Sequence, residues 1–153
     1  MQQLIRGNSG GPLINQAGEL VGINTVKITS AEGIGFAVPI NVVKPILEKL
    51  ENQGDFEEAS IGIFAYDKNV IPYLNSNLKF DKGIYVAQIS LDSPVYKSNL
   101  KIGDVITKID NIQIDKMCDL REYIYTKNVG DVVNLTILRN NREENIQVKL
   151  SKK

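Results

Sequence analysis

Across 153 residues there is no histidine, no tryptophan and one cysteine. Without an imidazole, these residues hold no Ser-His or Cys-His pair for nucleophilic catalysis and no histidine-based metal site. Cys118 has no second thiol to pair with, so it forms no internal disulfide. It falls in a helical stretch and reads as a small core residue rather than a ligand. No metal and no cofactor are expected. Excess charge is also missing: 18 Lys and Arg balance 18 Asp and Glu. No net field draws the chain to a phosphate backbone or an anionic membrane, so nucleic acid is not expected as a partner. Long apolar runs are absent too. Met1-Gln2-Gln3-Leu4-Ile5-Arg6 is too polar for a signal peptide, and no later run suits a bilayer span. The chain itself names no compartment.

What is there begins with Gly7-Asn8-Ser9-Gly10-Gly11-Pro12-Leu13, a small hydroxyl among three glycines and a proline. Glycines on both sides let the backbone turn tightly, so the N–H groups of Gly7 and Ser9 can converge on one point. Two such donors are what an oxyanion hole requires. The plain alternative is a solvated Gly-Ser loop. A phosphate-binding loop is excluded because no lysine precedes the hydroxyl residue.

Beyond this loop the apolar runs Leu13-Ile14, Leu20 to Ile23 and Ile34 to Val38 read as three short strands, with Asn15-Gln16-Ala17-Gly18 as a hairpin turn. Three strands cannot close a barrel. A helix is expected from Asn41 as N-cap, with Val42, Val43, Ile46, Leu47 and Leu50 on one face and Lys44, Glu48, Lys49 and Glu51 elsewhere. Pro45 is acceptable near the first turn, and Gly54 ends the helix. Asp55-Phe56-Glu57-Glu58 reads as an acidic linker. The rest reads as a compact α+β unit. Strands are expected at Ile61 to Tyr66, Gly83 to Ile89, Val105 to Ile109, Val132 to Leu138 and Ile146 to Leu150, and helices at Pro94 to Asn99, capped by Ser93, and Met117 to Lys127. Asp110-Asn111 and Asn140-Asn141 supply turns.

Gly7 to Leu13, Gly18-Glu19-Leu20-Val21-Gly22-Ile23-Asn24-Thr25 and Gly33 to Pro39 together resemble the nucleophile loop and following strands of the HtrA (Deg) branch of chymotrypsin-like serine proteases. Gly83-Ile84-Tyr85-Val86, Ser93-Pro94 and Leu100-Lys101-Ile102-Gly103-Asp104-Val105-Ile106 resemble the PDZ domain of the same family. The resemblance implies a mainly β fold with helices: a partial trypsin-like β-barrel, contributing its last strands and C-terminal helix over residues 1–54, a linker over 55–58, and an α+β PDZ domain over 59–153. It makes Ser9 the nucleophile, Gly7 an oxyanion donor, and Thr25, Val26 and Ile34 the substrate pocket, although Ile34 reads equally as plain core. In the PDZ part it makes Ser60, Ile61, Gly62 and Ile63 a carboxylate-binding loop, Phe64 to Tyr66 an exposed strand edge, and Arg121 and Tyr125 peptide contacts. Ile61 to Ile63 also reads as an ordinary buried strand start, and Met117, Leu120 and Ile124 as core.

The implied activity is a serine-type endopeptidase of protein quality control that acts on unfolded polypeptides and binds their C-termini. In the family the histidine and aspartate precede the serine. Whether this chain is itself an enzyme is therefore open, and the expectation is a fragment inactive alone. A PDZ interaction protein without catalysis is the alternative. Relatives in the family are extracytoplasmic or membrane-tethered, and an intact parent can oligomerise.

Overall fold

The computed structural model describes residues 8–27, 35–73 and 80–153, with only the backbone of Val26 and Lys27. The chain divides into two compact units, residues 1–56 and 57–153.

In the first unit, β1 (Pro12–Ile14), β2 (Leu20–Lys27) and β3 (Gly35–Pro39) form an antiparallel sheet in that order. The β1–β2 hairpin turns where the Asn15 to Gly18 tetrad is expected to turn it. Asn15 Oδ1 accepts the N–H groups of Ala17 and Glu19, both at 2.9 Å, which replaces the backbone bonds a turn leaves unmade. Helix α1 (Ile40–Gln53) follows β3 directly. Its N-cap is Pro39, not Asn41, and no side chain caps it. The earlier start puts Pro45 in the second turn, where its missing N–H leaves the Asn41 carbonyl without a helical partner. Gly54 ends α1 in the left-handed conformation, its N–H on the Leu50 carbonyl at 3.0 Å.

The buried face of α1 is not the one its apolar pattern suggests. Val42, Pro45 and Lys49 are buried, while Leu47 and Leu50 are exposed by 52% and 44%. Lys49 lays its methylene stem inward and carries its ammonium to 5.7 Å from the Phe56 ring centre.

The second unit contains β4 (Ala59–Ser60), β5 (Ile63–Asp67), β6 (Ile84–Ile89), β7 (Val105–Ile109), β8 (Ile112–Gln113), helix α2 (Met117–Tyr125), β9 (Val132–Arg139), β10 (Arg142–Lys149) and β11 (Ser151–Lys152). The main sheet runs β10-β9-β7-β6-β5 with β8 on β7, and β11 pairs separately with β4. Period-2 alternation decides which side chains form the core. Val133, Leu135 and Ile137 of β9 are wholly buried, as are Ile84 and Val86 of β6 and Ile106 and Ile109 of β7. Each such aliphatic side chain contributes roughly 1.5–3 kcal/mol relative to exposure.

Strand β10 begins four residues before the apolar stretch expected from Ile146. Its polar first half, Arg142 to Asn145, is held by the β9 ladder, in register from Arg142 opposite Arg139 onward. That register is fixed by the Asn140-Asn141 turn, in which both residues have positive φ (49° and 61°), the geometry of a two-residue hairpin. Asp110-Asn111 makes the same turn between β7 and β8, at 44° and 71°.

Three further expectations need correcting. Pro94 to Asn99 is a single 3-10 turn, Pro94–Lys97, and the Ser93 hydroxyl does not cap it but donates to the Ser90 carbonyl at 2.8 Å. Helix α2 stops at Tyr125 rather than Lys127. Cys118 lies on α2 half-buried rather than in the core, its Sγ 3.6 Å from Asp119 Oδ1. Burial and the neighbouring Asp119 carboxylate push its thiol pKa up, which leaves it a poor nucleophile.

Candidate functional site

The Ser9 loop is tied to β2. The Gly10 N–H donates to the Asn24 carbonyl at 2.7 Å, and the Asn24 N–H donates back to the Gly11 carbonyl at 3.0 Å. Ser9 is exposed, and its Oγ donates to the Thr25 carbonyl at 2.6 Å. That acceptor is a neutral amide, which cannot take up a proton at ordinary pH, so the geometry holds the hydroxyl but does not activate it. The structure thus brings Ser9 and Thr25 together. The Thr25 hydroxyl points to β3, donating to the Phe36 carbonyl at 3.2 Å. Gly7 and Ile34 lie outside the described residues, and Val26 is described only as backbone in β2, opposite Phe36. Sequence reading missed Asn24: it is buried, and its Oδ1 has no donor among the described residues.

The second site is a groove between β5 and α2. β5 is the end strand of its sheet, so one side of its backbone is unpaired within that sheet. Opposite stand Met117, Leu120, Arg121, Ile124 and Tyr125 of α2, and together with Ser60 to Ile63 they line a cavity of about 110 Å³. Leu120 and Ile124 are buried core residues that also floor the groove, so their two roles are one surface. Ile63 is half-buried at the groove, whereas Ile61 is 2% exposed and roots the loop in the core.

Gly62 makes the loop possible. Its φ is +77°, and a Cβ there would lie 2.2 Å from Ser93 Cβ. Its carbonyl accepts the Ser90 N–H and its own N–H donates to Ser60 Oγ, both at 2.9 Å. The loop's central donor is therefore met from within the chain.

Two groove residues carry no signal in the linear sequence, Glu58 and Lys153. Pairing of β11 with β4 brings them together, and Glu58 Oε1 accepts both Lys153 Nζ and the Tyr125 hydroxyl at 2.8 Å. Burial raises the Glu58 pKa, but the hydrogen bonds from Lys153 and Tyr125 outweigh it and hold the carboxyl below its usual value. Tyr125 is pushed up to about 12, first by burial and then by its bond to the Glu58 carboxylate.

The family described as "PDZ domain" matches residues 47–150, and the family described as "Trypsin" matches residues 2–47. The serine protease Do-like HtrA of Bacillus subtilis (strain 168) is 40% identical over 96% of this chain. The chain belongs to the HtrA family of serine proteases. The periplasmic serine endoprotease DegP of Escherichia coli (strain K12), another HtrA-family member, is 35% identical over 95% of the chain. The chain spans about a third of the length of these curated relatives, 35% and 31% respectively. Among solved structures, the HtrA-type protease AlgW with a tripeptide superposes with a TM-score of 0.67 at 27% identity, covering 96% of this chain and 50% of that one. The serine endoprotease from Yersinia pestis gives 0.57 at 29% identity, covering 97% and 48%. The mainly β architecture, with two helices, an open trypsin-like sheet and a PDZ domain, agrees with these HtrA structures.

Proposed function

We propose that the chain is a piece of an HtrA-type serine endopeptidase that binds the C-termini of unfolded polypeptides through residues 59–153. Residues 1–54 then carry the end of the trypsin-like domain. Ser9 is its nucleophile, and the N–H groups of Gly7 and Ser9 its oxyanion donors. Thr25 and Val26 line its substrate strand, and Ile34 shapes the primary specificity pocket.

The observation that carries the binding half is the groove itself. It has an open strand edge at β5, apolar walls from Ile63, Leu120 and Ile124, and at one end a positive-φ loop beside Lys153 and Arg121. An extended peptide can add to the edge by main-chain hydrogen bonds and seat an apolar terminal side chain on the walls. The AlgW structures with a tripeptide and a decapeptide support the same reading. Calorimetry with a decapeptide ending in valine, as free acid and as amide, tests it. Binding of the acid but not the amide is expected, and equal binding of both overturns the reading.

Catalysis in these 153 residues is a separate matter, because none is a histidine and Ser9 Oγ donates to a carbonyl. That observation favours a second reading, an interaction module in which the groove functions and Ser9 does not. A reading frame upstream of Met1 that supplies a histidine and an aspartate decides for the endopeptidase. By analogy with periplasmic DegP, the parent acts outside the cytoplasm.

A further inference from the structure

The charged end of the groove is already occupied by the chain itself. A chain-end carboxylate entering beside Gly62 needs N–H donors and a cation. The Gly62 N–H is taken by Ser60 Oγ, and the Lys153 ammonium is taken by Glu58 Oε1. Tyr125, on the facing helix, adds its hydroxyl to the same carboxylate oxygen. We propose that Glu58 is a built-in competitor that occupies the groove's cationic end and must yield Lys153 before a peptide carboxylate can bind.

The inference rests on reading this groove as a site for chain ends. Its logic is exclusion of like charges: two carboxylates cannot share one ammonium without mutual repulsion in a partly desolvated cleft. Glu58 and Lys153 border the same cavity as Ser60 to Ile63, so entering and resident carboxylates meet there. Arg121 borders it too and favours the charged form of Glu58 from α2. The arrangement sets affinity by a trade rather than by a vacant cation, and it rejects ligands that bring no negative charge to release Lys153. With Tyr125 and Lys153 both on its Oε1, Glu58 cannot swing aside without breaking both bonds.

The test uses the full 153-residue chain and the valine-ended decapeptide as free acid and as amide, titrated into wild type, Glu58→Gln and Glu58→Ala, with melting curves to verify folding. Glutamine keeps the shape and an acceptor but removes the charge. Free-acid binding is expected to tighten roughly threefold to fivefold in Glu58→Gln, the size of a partly exposed ion pair, and the amide to remain unchanged. Glu58→Ala, which removes both acceptors, is expected to tighten it at least as much. Unchanged or weaker free-acid binding in the folded variants overturns the competitor while leaving the groove reading intact. A wild type that does not distinguish acid from amide overturns both.

Discussion

Arg139 grips Asp104 with two hydrogen bonds of 2.7 Å, Nε to Oδ1 and Nη2 to Oδ2. Asp104 is 1% exposed and also accepts the Lys101 N–H at 2.8 Å, while Arg139 reaches the Asn99 carbonyl and Glu144. One guanidinium therefore fastens the Leu100 to Asp104 loop to β9 and β10. The aspartate of Leu100-Lys101-Ile102-Gly103-Asp104-Val105-Ile106 is structural, a loop anchor rather than a ligand contact.

Replacing Arg139 with methionine should leave Asp104 buried and unpaired, at a cost of about 3 kcal/mol. In a unit of this size that lowers the melting temperature by roughly 10 °C or more. Arg139→Lys keeps the charge but not the paired geometry, so an intermediate loss is expected. Thermal melts of the three proteins check the order, and a methionine variant as stable as wild type contradicts it.

Gly62→Ala should damage the groove locally. The left-handed backbone costs a non-glycine residue roughly 1–2 kcal/mol. The new Cβ would also sit 2.2 Å from Ser93 Cβ, and Ser93 is itself buried, so the loop must shift. Peptide affinity should fall at least roughly tenfold with a stability loss of about 1–3 kcal/mol. Chemical denaturation and peptide titration of the same variant separate the two effects. Retention of full affinity would remove the loop from the binding site.

Much of this arrangement is legible in the amino-acid order because local rules decide it. Asn140-Asn141 and Asp110-Asn111 are pairs that tolerate positive φ, and Val133, Leu135 and Ile137 alternate as a half-buried strand must. What is not legible is set across the fold. Glu58 looks like linker charge and Lys153 like a solvated tail until β11 pairs with β4. Lys49 looks like the polar side of α1 until its stem packs inward, and Leu47 and Leu50 look buried until the helix is oriented. The Ser93 hydroxyl fits an N-cap by type, yet Ser90 offers its carbonyl first.

The tie between Tyr125 and Glu58 should be visible in a pH titration. Tyr125 is raised from 10.0 to about 12 by burial and then by Glu58, so the folded state holds its proton more tightly than the unfolded chain. Its stabilising contribution is complete below pH 10 and is lost as pH rises toward 12. Glu58 is lowered from 4.5, so its contribution is complete above that pH and is lost as acid protonates it. In a phenolate absorbance titration, Tyr125 should ionise late. Glu58→Gln should bring that ionisation closer to the ordinary range by removing the carboxylate. A late tyrosine unaffected by Glu58→Gln would mean that burial alone holds the proton.

Ser9 supplies the last prediction. Its Oγ sits 2.6 Å from the Thr25 carbonyl, and no residue of the chain is a histidine, so the proton that acyl transfer must remove has no imidazole to receive it. In a comparable triad, losing the base alone costs about a millionfold in kcat. The purified chain should therefore leave an unfolded protein substrate uncut, and a fluorophosphonate probe should label Ser9 no faster than an ordinary surface serine. Ser9→Ala should change neither result. Its stability cost should stay below about 1 kcal/mol, because the hydroxyl is exposed and its single bond is exchangeable with water. Cleavage by the chain alone that disappears in Ser9→Ala would require a base other than imidazole within hydrogen-bond reach of Oγ.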